Sequence, residues 1–180
     1  MGEEVERETD RSGPIIAAPV PLSAEHELSS FDCGEPALND WLRQRAWKNE
    51  SRFSRTYVVC DSNRVIAYFC ISAGAVERRA APGKVRRNAP DTIPVSVIGR
   101  LAVSREHAGK GLGADILADA LRRIAAASQS IGIAAVLVHA KDDAAKHFYL
   151  KCAEFIAYPP DSRYLFLPIE TVLTAFSETG

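Results

Sequence analysis

Apolar residues recur along this chain at two spacings, one typical of strands and one of helices, and their order predicts the elements of the fold. The run "IIAAPVPL" at residues 15–22 predicts a first strand. In "EPALNDWLRQRAWKNE", Leu38, Trp41, Leu42 and the Arg45/Ala46 pair repeat at helical spacing behind Pro36, a residue suited to a first helical turn. A helix is predicted there, buried on its leucine and tryptophan side. "RTYVVC" and "VIAYFCISAGAV", β-branched and aromatic and separated by "DSN", predict a hairpin. After a loop bearing proline and arginine, "VSVIGRLAV" predicts a central strand. "GADILADALRRIAAASQSIG" predicts an amphipathic helix stopped by Gly132, and "IAAVLVHA" a buried strand. "DDAAKHFYLKCAEF" predicts a short helix capped by Asp142 or Asp143, and "SRYLFLPI" a last strand before a C-terminal helical turn. No internal repeat is visible. This order implies an α/β (α+β) domain with a mixed central β-sheet flanked by helices.

Length and composition narrow the setting. At 180 residues and 47% hydrophobic content, the chain can close one core. No apolar run approaches the roughly 20 residues of a membrane span, and no apolar N-terminal stretch suggests a signal peptide, so no membrane role and a cytoplasmic location are expected. Cys33, Cys60, Cys70 and Cys152 form no CxxC pair, so neither zinc nor any other metal nor a disulfide is expected. The net charge of −1 hides an asymmetry: "MGEEVERETDRSG" holds five acids and two bases, leaving the remainder at +2. That opening predicts a disordered tail over residues 1–14, with residues 15–180 as a single domain.

The densest chemical signal is "LAVSREHAGKGLGADILADAL", where Gly109, Gly111 and Gly113 stand between strand and helix. Each glycine costs a helix about 1 kcal/mol relative to alanine, so the cluster needs an offsetting use. A tight turn is one; the other is an anion cradle of bare backbone N–H groups at a helix N-terminus, with Lys110 beside it. Gly109, Gly111 and Ala114 meet the looser dinucleotide spacing, but no acid closes a strand about 20 residues later to hold a ribose. A P-loop fails as well, because no Ser or Thr follows Lys110 to hold magnesium.

The arrangement resembles the GNAT superfamily of acetyl-CoA-dependent N-acetyltransferases, whose signature is Q/R-x-x-G-x-G/A after a strand. "AGKGLGA" supplies Gly111 and Gly113 and departs at Ala108, where the family has Gln or Arg. A second family pattern, N-x-x-A-x-x-F/L-Y, is matched in "DDAAKHFY" at Ala145, Phe148 and Tyr149, with Asp142 in place of Asn and Glu154 where a following turn usually has glycine. The resemblance implies acetyl-CoA in the cleft between the fourth and fifth strands. Its pyrophosphate would lie on Gly109, Lys110, Gly111, Leu112, Gly113 and Ala114, and its pantetheine arm along the main chain of Leu101, Ala102 and Val103. Phe148 would pack against the coenzyme, and Tyr149 would donate a proton to the departing sulfur as general acid. Without the family, Tyr149 reads first as a core tyrosine with its hydroxyl tied to a carbonyl; the family pattern turns that reading toward the general acid. Cys152, with no His and acid at motif spacing, is expected to fill core, and His107, His139 and His147 to be surface or structural residues.

Within the superfamily, "LSSFDCGEPALNDWLRQRAWKNESRFSRTYVV", "GRLAV" and "FLPI" are similar to toxins of toxin–antitoxin modules that acetylate the amino acid on charged tRNA. The likeness runs from about Ile15 to Phe176. It implies an aminoacyl-tRNA substrate and a small DNA-binding antitoxin of the ribbon-helix-helix type; a homodimer is one assembly it allows. An α-amino group titrates near 8, so no strong protein base is demanded. Two basic runs could hold RNA phosphates: Arg43, Arg45 and Lys48 in the first helix, and Arg78, Arg79, Arg86 and Arg87 in the loop after the hairpin. Each also reads as a solvated face. Two further readings stay open: acetylation of a small amine or protein N-terminus, and a non-catalytic module that binds coenzyme or nucleic acid.

Overall fold

The structure, a computed structural model, describes residues 16–178; the tail expected over residues 1–14 lies outside the described residues. One seven-stranded sheet runs in the order β1-β2-β3-β4-β5-β7-β6. Its strands are β1 (Val20–Pro21), β2 (Arg55–Asp61), β3 (Arg64–Glu77), β4 (Thr92–Val103), β5 (Ala135–His139), β6 (Ile156–Ala157) and β7 (Tyr164–Pro168). All neighbours are antiparallel except β4 and β5, which run parallel, so the sheet is mixed as the element order implies.

Helices cover both faces. The first helical stretch begins as α1 (Pro36–Trp41), widens into a π-helical turn over Leu42–Ala46 and closes as α2 (Trp47–Asn49). It buries Trp41, Leu42 and Ala46 against Tyr68, Cys70 and Ala102 of the sheet. Its entry is fixed by Asn39, whose side chain accepts the Cys33 N–H at 2.9 Å and donates to Asp32 Oδ1 at 3.0 Å. The other face is covered by α4 (Leu112–Ala127), α5 (Asp143–Cys152) and α6 (Ile169–Ser177), packed on Phe69, Ile98, Val136, Val138 and Leu167. A short α3 (Gly83–Arg86) sits at the far end, where Val85 joins Ile93, Val95 and Phe166.

Several expectations change in detail. The strand expected over residues 15–22 shrinks to Val20–Pro21, because "AAP" before it has no β propensity to extend the pairing. The loop after the hairpin contains α3, and β6 is an addition. The long helix stops at Ala127 rather than at Gly132: Ser128 Oγ donates back to the Ala125 carbonyl at 2.6 Å, and the polar "SQS" leaves as turns. Cys152 does not fill core; α5 ends on it, and its side chain is exposed. The other three cysteines are free and at least partly buried, and no group of three His, Cys, Asp or Glu capable of holding a metal occurs among the described residues.

Candidate active site

The sheet comes apart where β4 leaves β5. Only Val95–Val97 pair with Ala135–Leu137; beyond them β5 keeps β7 and β4 keeps β3, so a cleft opens between. At the same point the β3–β4 register slips, with Ile71 opposite Ile98 and Cys70 opposite Arg100, which leaves Gly99 as the bulged residue. A Cβ on Gly99 would stand 3.3 Å from Cys70 Sγ. The Ser104 amide donates to the Ile66 carbonyl at 2.8 Å. Antiparallel alternation from that bond commits the main chain of Ala102 to Tyr68 and turns the N–H and C=O of Leu101 and Val103 away from β3, toward the cleft. Of the three residues expected to present main chain, these two have it free, while Ala102 is spent on the sheet.

The three glycines divide by geometry. Gly109 and Gly111 have φ of +74° and +84°, a region L side chains rarely enter, and open space where a Cβ would be. Gly111 is the N-cap of α4, whose first turn begins with the Asp115 N–H on the Gly111 carbonyl at 3.1 Å. Leu112, Gly113 and Ala114 therefore have no helical carbonyl for their amides, and the helix dipole adds to the positive field there. Leu112 is buried and pins this end to the core, Ala114 is exposed, and Lys110 is exposed with Nζ 3.4 Å from the Glu106 carbonyl. Gly113 serves differently: a Cβ there would meet the Phe148 ring at 3.4 Å, so it lets α5 approach α4. The arrangement has the geometry of an anion cradle: bare amides at a helix N-terminus, with no side chain from Ala108 needed to shape it.

Across the cleft, Asp142 caps α5 by accepting the Ala145 N–H at 2.8 Å, a bond that holds its carboxyl below the usual range. The helix places Phe148 half-buried beside Tyr149, rings edge-on at 5.2 Å, with Phe155 on the other side at 5.7 Å. Tyr149 is 7% exposed. Among the described residues its hydroxyl makes no hydrogen bond, yet the oxygen is not sealed in as Ser54 Oγ and Thr56 Oγ1 are. The oxygen keeps a small solvent-accessible area. Burial, reinforced by the Cys70 and Cys152 thiols, pushes its pKa above the ordinary phenol value, so it keeps its proton at neutral pH.

The basic residues sort by what already holds them. In the first stretch Arg43 donates to the Phe31 carbonyl and lies 3.7 Å from Asp40, so it ties down the entry loop, while Arg45 and Lys48 are exposed and uncommitted. In the second, Arg79 pairs with Glu77 at 2.6 Å, and Arg86 donates to the Tyr158 hydroxyl at 3.2 Å. Arg78 and Arg87 extend into solvent without side-chain partners among the described residues. Arg78, Arg79 and Arg86 line a shallow depression of about 570 Å³. The three histidines are as expected: His107 meets Ser104 Oγ at 2.8 Å, His139 stacks on Tyr164 and His147 is exposed.

Two features of the site escaped the reading of the sequence. Lys141, just after β5, bonds Glu35 before α1 at 2.9 Å and so bridges the mouth of the cleft. Arg100, in β4, stands with its guanidinium 4.4 Å from the Trp41 ring centroid. A charged residue inside an otherwise apolar strand was the available signal.

Comparison with known proteins places this geometry. The model of the acetyltransferase (GNAT) family matches residues 22–155. The tRNA-acetylating toxin of Mycobacterium tuberculosis is 43% identical over 152 residues, 84% of this chain and 91% of that protein. The solved structure of AtaT complexed with acetyl-methionyl-tRNAfMet superposes with a TM-score of 0.79 at 29% identity, covering 88% of this chain and 98% of that one. A mutant AtaT toxin bound to the C-terminus of the antitoxin AtaR and acetyl-CoA gives 0.76 at 29%, covering 89% and 97%. An open β4–β5 cleft, a glycine cradle at one lip and an unbonded tyrosine at the other thus occur in a chain that belongs to the GNAT family of acetyltransferases.

Proposed function

We propose that this protein is a cytoplasmic toxin that transfers the acetyl group of acetyl-CoA to the α-amino group of aminoacyl-tRNA, which removes that amine from peptide-bond formation and blocks translation. A single acetyltransferase domain over residues 15–180 does the work. The observation that carries the reading is the Tyr149 hydroxyl, buried, protonated and unbonded at a cleft whose opposite lip is an anion cradle. The likeness to a tRNA-acetylating toxin over 84% of the chain supports the acceptor.

The cradle from Gly109 to Ala114 binds the coenzyme pyrophosphate, and the free main chain of Leu101 and Val103 aligns the pantetheine arm as a strand would. The neutral amine attacks the thioester carbon, a C–N bond forms, and the C–S bond breaks. Tyr149 offers its hydroxyl proton to the departing sulfur, and the proton shed by the new amide restores the balance. Arg45, Lys48, Arg78 and Arg87 hold RNA phosphates. A small DNA-binding antitoxin of the ribbon-helix-helix type restrains the enzyme, in keeping with an antitoxin-bound relative. The test is to incubate total charged tRNA with labelled acetyl-CoA and identify the released amino acids by mass spectrometry. N-acetylated amino acids are expected; label found only on free amines or peptides overturns the reading.

A further inference from the structure

Arg100 is a strand cation at the cleft with no carboxylate to pair with among the described residues. It sits on β4 just past the Gly99 bulge, beyond the last residue that pairs with β5. Its cross-strand partner is Cys70, and with Cys70, Tyr68 and Ala102 it lies on the α1 face of the sheet, whereas Tyr149, Phe148, Leu101 and Val103 pack on the opposite face. The cleft therefore has two mouths. The cradle at the start of α4 opens on one, so the coenzyme approaches from the α4 side. The acceptor must come from the other, where Arg100 stands.

Arg100 is half-buried, its guanidinium carbon lies over the Trp41 ring at 4.4 Å from its centroid, and Trp41 itself stacks on Tyr68 with ring centroids 6.0 Å apart. This layered arrangement holds the fork in one place. Among the described residues no carboxylate comes within 4 Å of it. Its neighbour Cys70 is a thiol whose pKa burial pushes up despite Arg100 beside it, so it supplies no counter-charge. A partly desolvated cation with no acid costs stability unless a ligand brings the anion. By contrast, Arg43, Arg64, Arg79, Arg105, Arg122, Arg123 and Arg163 all have a carboxylate in reach.

We propose that Arg100, stacked on Trp41, binds the phosphodiester adjoining the 3′-terminal nucleotide of the acceptor and so sets the distance from RNA backbone to thioester. This rests on the aminoacyl-tRNA reading above. A full charge in a fixed planar fork suits a phosphate better than the aminoacyl ester carbonyl, which a neutral donor would serve as well. The residue is a specificity determinant rather than a catalytic one: it distinguishes an amine attached to RNA from a free one.

The experiment compares the parent with Arg100→Gln and Arg100→Lys on two acceptors, charged tRNA and aminoacyl-adenosine, which has the same amine and ester but no phosphate. Arg100→Gln should raise KM for charged tRNA about 10- to 100-fold with little change in kcat, Arg100→Lys should recover part of the loss, and both should use aminoacyl-adenosine as the parent does. Acetyl-CoA affinity should stay at the parent value, and the melting temperature of Arg100→Gln should not fall below it. Equal losses on both acceptors, no loss on either, or weakened acetyl-CoA binding overturns the assignment. If the parent itself acetylates a polyamine but neither acceptor, the functional reading fails first and takes this one with it.

Discussion

Tyr68 and Tyr149 are both buried, both have aromatic neighbours, and both have phenol pKa values driven upward by burial with the Cys70 thiol adding to the effect. They differ in what the hydroxyl does. On the α1 face, Tyr68 donates to the Leu38 carbonyl at 2.7 Å, where the first helix passes from α to π geometry. On the α4 face, Tyr149 donates to nothing among the described residues, and its oxygen keeps a small solvent-accessible area. Native folds rarely leave a buried donor unused, and on the proposed mechanism the unsatisfied member of this pair is the one that meets the substrate. Burial alone would not have separated them.

The sharpest break of this contrast starts on the other lip of the cleft. Gly111→Asp forces a Cβ into φ +84° and a carboxylate into the cradle, and should abolish acetyl-CoA binding, measured by calorimetry, before either tyrosine matters. Parent-like affinity would remove the phosphate assignment. Next, Tyr149→Phe should lower single-turnover rates by about 10²- to 10⁴-fold with folding and coenzyme affinity intact. Tyr68→Phe should do the reverse, costing about 1–2 kcal/mol in urea unfolding while leaving turnover near the parent value. Exchange of these two outcomes would invert the comparison.

Smaller effects sharpen it. Reversing Arg45 and Lys48 to Glu should weaken charged-tRNA binding and lower its log–log salt slope by somewhat under one unit per contact, whereas Arg43→Gln should chiefly lower the melting temperature, since Arg43 already holds Phe31 and Asp40. Salt titrations of the two variants separate the roles. The least change is expected in the pH profile of kcat/KM. It should rise through the α-amino pKa near 8 and stay high to at least about pH 10, because Tyr149 must keep its proton and burial moves its ionisation upward. A descending limb below pH 9 that Tyr149→Phe abolishes would show the phenol ionising at or below its ordinary value.

Much of this was legible in the sequence because the signals were local. Glycine spacing at Gly109 and Gly111 reports backbone dihedrals directly, and the apolar periodicity of α4 reports its buried face. What stayed hidden depends on pairing between distant segments. The bulge at Gly99 arises from a register slip against Cys70 and Ile71, which no property of "VSVIGRLAV" reveals. Arg100 was hidden by the same cause, since its face follows from the slip. Arg43 was grouped with Arg45 and Lys48 because charge is visible in sequence and a hydrogen bond to Phe31, twelve residues away, is not. Cys152 was misplaced because its exposure turns on where α5 ends, and helix ends are the least certain feature of a periodic pattern.

The seam between β4 and β5 joins the two halves of the sheet through only three residue pairs, Val95–Val97 with Ala135–Leu137. Past it, an unzipped length of main chain runs at Leu101 and Val103. A pantetheine arm laid along that length is in effect a borrowed strand. In the proposed placement its amides would complete the ladder, and the co-substrate would be a splint as well as a reagent. Linkage would then make the folding stability of the domain follow acetyl-CoA supply, by about 2.7 kcal/mol at a hundredfold excess over Kd. Amide exchange at the cleft would read the acetyl-CoA level of the surrounding solution.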